Sequence, residues 1–414
     1  MTRPPDPTRA ALVRLVRDEG RRVLATLVRL TGDLQLAEDA VQDATVRALE
    51  SWSSTGVPAE PRGWLTLTAR RRAIDLIRRE AVRTGKETAA MFLLDQDDPP
   101  ETPQTLRDDQ LRLMFVCCHP SLSLETQVAL ALRTLCGLST SEVGLALLVP
   151  ETTIAKRLTR ARQKIRMAAI PYRVPEDHEL PDRLAGVAAV VYLLFNEGYS
   201  ASAGDDPLRP ALVVEATRLA RLLSELMPGE PAALGLLALV LLQDSRRDTR
   251  HDQDRRPVLL ADQDRGRWRR SLIEEGVILV GHALRRCPER PDPYVIQAAI
   301  AACHALAPTW EETDWDAVVS WYDVLLAVHD TPVVRLNRAV AVGELRGPAA
   351  GLTELDCIPG LADYPLWHAA RAELLLRVHR AADARTAFVS ALQLPQNSAQ
   401  QAHLERRLAT IPTC

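Results

Sequence analysis

Between residues 9 and 80 apolar side chains recur at three- and four-residue steps, the spacing of one face of an α-helix. Leu12, Leu15 and Val16 open the stripe, and Val23, Leu24, Leu27 and Val28 continue it. Thr31-Gly32-Asp33 interrupts it, and the Asp33 carboxylate suits the N-cap of a second helix with Ala37, Ala40, Val41 and Ala44 on one side. Trp52 to Pro61 predicts a loop, and a third helix is expected over 61–80 with Leu67, Ile74 and Ile77 on its buried side. From 82 to 106 the periodicity fails. Asp95, Asp97, Asp98, Pro99, Pro100, Glu101 and Pro103 make an acidic, proline-broken tether, expected to be extended and flexible. Helical spacing returns over 107–170, Pro171 and Pro175 mark a boundary, and helices alternate with short turns from 180 to 410.

Within 107–170 one stretch has the pattern of a helix-turn-helix. Ser139 caps a short helix, with Glu142 three residues on as in a capping box, and Val143, Ala146 and Leu147 face inward. Val149-Pro150 makes the turn, and Ile154, Leu158, Ala161 and Ile165 form the buried stripe of the second helix. What remains on that helix is hydroxyl-bearing and cationic, as a major-groove helix needs. Glu151, Thr152, Thr153, Lys156 and Arg157 are the candidates for base edges; Arg160, Arg162, Lys164 and Arg166 are the candidates for phosphates.

A second constellation lies over 61–79. Trp64 near a helix start suits either a stacking platform for an unpaired base or a place in the core, and Arg70, Arg71, Arg72, Arg78 and Arg79 suit a phosphate strand. A third is Ala37-Glu38-Asp39-Ala40-Val41-Gln42-Asp43, whose acidic residues suit the helix dipole or a protein-docking face.

The tail carries a weak repeat. Shifting 336–355 by 34 residues lays Val340 on Leu374, Val342 on Leu376, Gly347 on Ala381 and Ala350 on Ala384. That is the tetratricopeptide period, with small residues where paired helices approach closely and Phe388 after them. Generic antiparallel helix packing is the alternative.

Charge sharpens the division. Residues 1–170 hold 25 Lys+Arg against 21 Asp+Glu, or +4, and the remainder holds 26 against 33, or −7, so the front half is the better partner for a polyanion. No apolar run reaches membrane-spanning length and the start (MTRPPDPTRA) lacks a secretory pattern, so a cytoplasmic protein with no membrane contact is expected. The seven cysteines contain no C-x-x-C pair, and Cys117-Cys118-His119 reads as buried helix rather than a metal site. Neither metal nor cofactor is expected.

Ala37-Glu38-Asp39, Val41-Gln42-Asp43, Trp64 with its arginine-rich helix, and Gly137-Leu138-Ser139 through Arg157-Leu158 and Arg160-Ala161-Arg162 together resemble the extracytoplasmic-function sigma factors. The resemblance covers about 9–170 and implies an all-α protein. It places sigma region 2 at 9–81, a flexible acidic linker at 82–106 and a helix-turn-helix region 4 at 107–170. It further implies that Asp39, Gln42 and Asp43 bind the clamp helices of the largest subunit of core RNA polymerase, with region 4 lying on the flap at the upstream side. Trp64 and the arginines of 70–79 would recognise and open the promoter element near the start site, and Glu151 to Arg162 would read the upstream element. Arg71 stands where many members have Asn, and Ala155-Lys156 replaces a commoner Lys-Ser pair, so no promoter sequence is implied.

Val191 to Tyr199, Asp262-Gln263-Asp264-Arg265 with Trp268, and Thr313-Asp314-Trp315 with Leu336 to Val340 resemble a subgroup with a tetratricopeptide-like helical extension, here 180–410. In that subgroup the extension looks regulatory, which implies a protein or ligand on the repeats. Asn196, Glu197, Asp262, Asp264 and Arg265 suit an acid/base or metal site, or a structural network linking helices. With no nucleophile–base spacing beside them, an enzyme is not expected. The chief alternative to a sigma factor is a stand-alone DNA-binding regulator with a sensing repeat domain; Asp39, Gln42 and the Trp64 helix would then have no task.

Overall fold

The computed structural model describes residues 7–84, 103–147, 149–168, 170, 172–173, 175–199, 209–253, 256–287 and 289–411. Most of the expected acidic tether, 85–102, lies outside the described residues. Those described form eighteen α-helices and four short 3-10 segments; among them no β-strand occurs beyond an isolated bridge between His251 and Pro257. The chain divides into two compact units, Met1–Val190 and Val191–Cys414.

In the first unit α1 (Pro7–Thr31), α2 (Leu34–Thr55) and α3 (Pro61–Thr84) pack mutually. Asp33 caps α2 as its short side chain predicts, Oδ1 accepting from Gln35 N at 2.8 Å and Leu36 N at 3.1 Å. Helix α2 runs three residues past Trp52, which is buried against Trp64, so the Trp52–Pro61 loop begins only after Thr55. The buried face of α3 also differs from expectation: Leu65, Ala69 and Ala73 are covered, whereas Leu67 is 50% exposed. Alanines on that face let α3 lie close to its neighbours.

α4 (Pro103–Cys117) packs on α1, and α5 (Leu124–Thr134), α6 (Thr140–Leu147) and α7 (Glu151–Met167) complete the unit's second bundle. Cys117 and Cys118 are buried, as their place in an apolar run predicts, and burial pushes the Cys118 thiol up to about 12.

In the second unit successive helices stack mainly on their chain neighbours: α9 (Pro210–Leu226), α10 (Pro231–Asp244), α11 (Arg270–Arg286), α12 (Pro293–Leu306), α13 (Trp315–Val328), α14 (Pro332–Leu345), α15 (Pro348–Asp356), α16 (Pro365–Arg377), α17 (Ala381–Leu392) and α18 (Ser398–Ala409). The helix α8 (Pro181–Tyr199) precedes them. Six of the helices α9 to α18 start on proline, whose fixed φ and missing N–H suit the first turn.

The repeat is real but steps by 33 residues, not 34: α14 and α16 start at Pro332 and Pro365, and α15 and α17 at Pro348 and Ala381. Buried Ala339 matches Ala372, Gly351 matches Ala384 and Leu355 matches Phe388. An ion-pair ladder keeps the same step, Arg338 Nε meeting Asp323 Oδ1 and Arg371 Nε meeting Asp356 Oδ1, each at 2.7 Å. Gly351 is where the backbones of α14 and α15 come closest, since a Cβ there would sit 2.7 Å from Ala339 O and Gly343 Cα.

Candidate nucleic-acid interface

The helix-turn-helix is built as its residues dictate. Ser139 N donates to Glu142 Oε2 at 2.6 Å and Glu142 N donates to Ser139 Oγ at 3.1 Å, a reciprocal box that fixes the start of α6. Gly144 lets the turn close on it, because a Cβ would lie 2.7 Å from Val149 O. Ile154, Leu158, Ala161 and Ile165 are buried under α7, so the opposite face points outward.

On that outward face Glu151, Thr152, Thr153, Lys156 and Arg160 are exposed and Arg157 is half-buried. The first turns of α7 therefore offer hydroxyls, a carboxylate and cations together, the mixture that suits base edges and phosphates. Arg166 is exposed farther along, while Lys164 turns back to donate to Ser121 O.

Arg162 has a different occupation. It grips Glu38 on α2 bidentately, with Nε 2.5 Å from Oε2 and Nη2 3.2 Å from Oε1, and both side chains are largely covered. Two further contacts join the same bundles. Buried Asp109 accepts from Arg29 Nε at 2.9 Å and Arg112 Nη1 at 3.1 Å, and Tyr172 Oη donates to Ala25 O at 2.9 Å and Asp109 O at 2.6 Å. Burial nonetheless leaves the Asp109 carboxyl above its ordinary pKa, outweighing the two arginines.

The α2 candidates lie on the rim of this junction. Asp39 and Gln42 are exposed and line a cleft of about 620 Å³ whose other wall includes Arg133, Thr159 and Arg162. Asp43 is engaged by Arg72 of α3. Trp64 is half-buried, its ring 5.3 Å from that of Trp52 at 65°, so one edge serves the core and the rest is open. Arg71 and Arg78 are exposed and Arg70 is half-buried; the Arg79 side chain lies outside the described residues.

The tail candidates are not gathered into one site. Asn196 lies near the Tyr192 phenol, whose hydroxyl donates to Gln297 Oε1 at 3.3 Å, and buried Glu197 pairs with Arg209 at 3.3 Å. Asp262 is exposed, and Asp264 caps a turn by accepting from Gly266 N at 3.0 Å. Arg265 meets neither carboxylate and donates to His304 O at 2.6 Å and Ala307 O at 2.8 Å. Reading the sequence missed the Glu38–Arg162 junction, and it missed Arg246, Arg250 and His304, which cluster near Arg265. No local periodicity signals either group.

A family model described as Sigma-70 region 2 matches residues 15–83, and one described as Sigma-70, region 4 matches 112–165. The ECF RNA polymerase sigma factor SigL of Mycobacterium tuberculosis (strain ATCC 25618 / H37Rv) is 33% identical over 38% of this chain and 89% of its own. The chain belongs to the ECF RNA polymerase sigma factors. SigE, an ECF sigma factor of Mycolicibacterium smegmatis, is 30% identical over 37% of this chain and 59% of its own. Both sigma family models lie within the first unit. After them a family of unknown function, DUF6596, matches 183–284, so this sigma factor carries a C-terminal extension. An uncharacterized protein of Rhizobium meliloti (strain 1021) shares both parts, 42% identical over 94% of this chain and 92% of its own. No solved structure matches. The sigma factor family is not enzymatic, and no described helix is long and apolar enough to cross a membrane.

Proposed function

We propose that this sigma factor binds core RNA polymerase through the α2 face of Asp39, Gln42 and Asp43, opens the start-proximal promoter element with Trp64 and the α3 arginines, and reads the upstream element with α7. Its working place is the cytoplasm. The observation that carries the reading is the outward face of α7, with Thr152, Thr153, Lys156 and Arg157 at the N-terminal end of a capped helix-turn-helix. In this reading the clamp helices of the largest subunit take the α2 face, the flap takes region 4, and the tether follows the path of nascent RNA.

The free chain is closed. Asp39 and Gln42 share a cleft with Arg133 and Arg162, so a polymerase helix reaching α2 must displace region 4. The extension, whose α14/α15 and α16/α17 pairs we read as tetratricopeptide-like, then modulates how readily the front half opens. Binding of the full chain to core polymerase tests the docking face: Asp39→Arg is expected to weaken it at least tenfold while leaving the melting temperature unchanged. Unaltered affinity would remove α2 from the interface.

A further inference from the structure

Beyond the DNA-binding half, the second unit holds a concentration of positive charge that few carboxylates answer among the described residues. Among the described residues Arg246 hydrogen-bonds the neutral Gln243 side chain, Nη2 lying 2.6 Å from Oε1. Arg250 stacks on Tyr199, its guanidinium carbon 3.7 Å from the ring centroid, and donates to the Tyr199 carbonyl. Arg265 is held by two backbone carbonyls and lies 5.0 Å from the Trp268 ring centroid. Arg246 is near enough to repel both other arginines and His304. Glu311, which is exposed, is the carboxylate that acts on Arg265; nearby Asp244 and Asp248 are taken by Arg247 and Arg269.

Two polar atoms in this cluster, Arg265 Nη2 and His304 Nδ1, are buried without a hydrogen-bond partner among the described residues. Burial lowers the pKa of Arg250 and Arg265, yet guanidinium keeps its proton, so the charge stays in place. Among the described residues this half-buried group of cations meets one exposed carboxylate, Glu311, and such an excess of charge costs stability unless a ligand neutralises it. Aromatic surface stands beside it. His304 packs on Trp310, ring centroids 6.2 Å apart and 11° from parallel, and Trp310 meets Trp315 edge-on at 4.6 Å.

We infer that Arg246, Arg250, Arg265 and His304 form a binding site for a small organic anion, a carboxylate or phosphate attached to a planar apolar body. Guanidinium groups recognise either acid in the same bidentate way. The flat body lies against half-buried Trp310, where offset stacking and apolar burial add to the charge, while Tyr199, buried and stacked by Phe195, holds Arg250 in place. The site stands on its own geometry, whatever the extension does to transcription.

Calorimetric titration of the full chain with phenyl phosphate, benzoate and inorganic phosphate tests this. Phenyl phosphate or benzoate is expected to saturate one site at least tenfold more tightly than inorganic phosphate, and the better of the two identifies the acid. Arg246→Gln and Arg250→Gln should each weaken that binding tenfold or more. Hydrogen exchange on the unmutated chain gives a readout independent of variant folding: protection on adding the tighter probe should concentrate in 246–268 and 304–315. Absence of saturable binding, unchanged binding in both variants, or protection confined to other segments would overturn the assignment.

Discussion

Arg162 of α7, the second helix of the helix-turn-helix, is paired bidentately with Glu38, 124 positions away on the helix that carries the polymerase-docking candidates. One guanidinium therefore serves as a clasp in the free chain and is a phosphate candidate in the promoter complex. Glu38→Gln removes the charge while keeping the shape. It should release α7 and raise the free chain's affinity for upstream-element DNA by up to about tenfold, since about 1.4 kcal/mol of closed-state preference corresponds to that factor. Fluorescence anisotropy with a labelled duplex measures it; equal affinities would mean the clasp does not hold the chain shut.

Base reading and phosphate contact separate experimentally on α7. Arg157→Ala should cost about 1–3 kcal/mol on the cognate element and relax preference at one base pair. Arg160→Ala should weaken binding alike on all sequences and lower the salt slope by about one. Equal losses on cognate and random duplexes for Arg157→Ala would move it to the phosphate group.

Acid sensitivity of the second unit should centre on His304. Burial first, and then Arg246 and Arg265, push its imidazole down to about 4. An unfolded histidine titrates near 6.5, so between the two values the unfolded chain binds the extra proton. Stability is thus full above about 6.5 and declines as pH falls toward 4, by on the order of 3 kcal/mol. Melting curves against pH should show this fall in the parent and a flatter profile in His304→Gln. Parallel profiles would assign the acid loss elsewhere.

The close approach of α14 and α15 predicts a steric effect. Gly351→Ala places a methyl 2.7 Å from two backbone atoms that cannot swing aside, Ala339 O and Gly343 Cα. Overpacking of that kind costs about 1–3 kcal/mol, which should lower the melting temperature of the second unit. An unchanged transition would mean the helices separate freely there.

Local signals made much of this molecule legible. Ser139 with Glu142, and the Ile154, Leu158, Ala161 and Ile165 stripe, predicted α6 and α7 because capping and 3.6-residue periodicity act within a few positions. The error on α3 has the same origin: Leu67 is more apolar than Ala69 and Ala73, yet packing against α1 and α2 selects the small residues. Helix α2 overruns the start of the expected Trp52–Pro61 loop as far as Thr55: Ser53, Ser54 and Thr55 are weak helix formers, but the buried Trp52 holds α2 together that far. Pairing the small residues Gly347 and Ala350 with Ala381 and Ala384 puts the repeat one position out of the 33-residue step of the helices. The Asp323–Arg338 and Asp356–Arg371 pairs, both fifteen apart, carried the correct step. The Glu38–Arg162 clasp and the arginine cluster around His304 join distant segments, and such pairings leave no periodic trace in a single chain.

The most direct measurement is run-off transcription with purified core RNA polymerase and templates from the chain's own regulon. The full-length chain is expected to start transcripts at one defined position per promoter, with Asp39→Arg abolishing them. Failure to produce promoter-specific transcripts, with or without residues 180–414, would contradict the account.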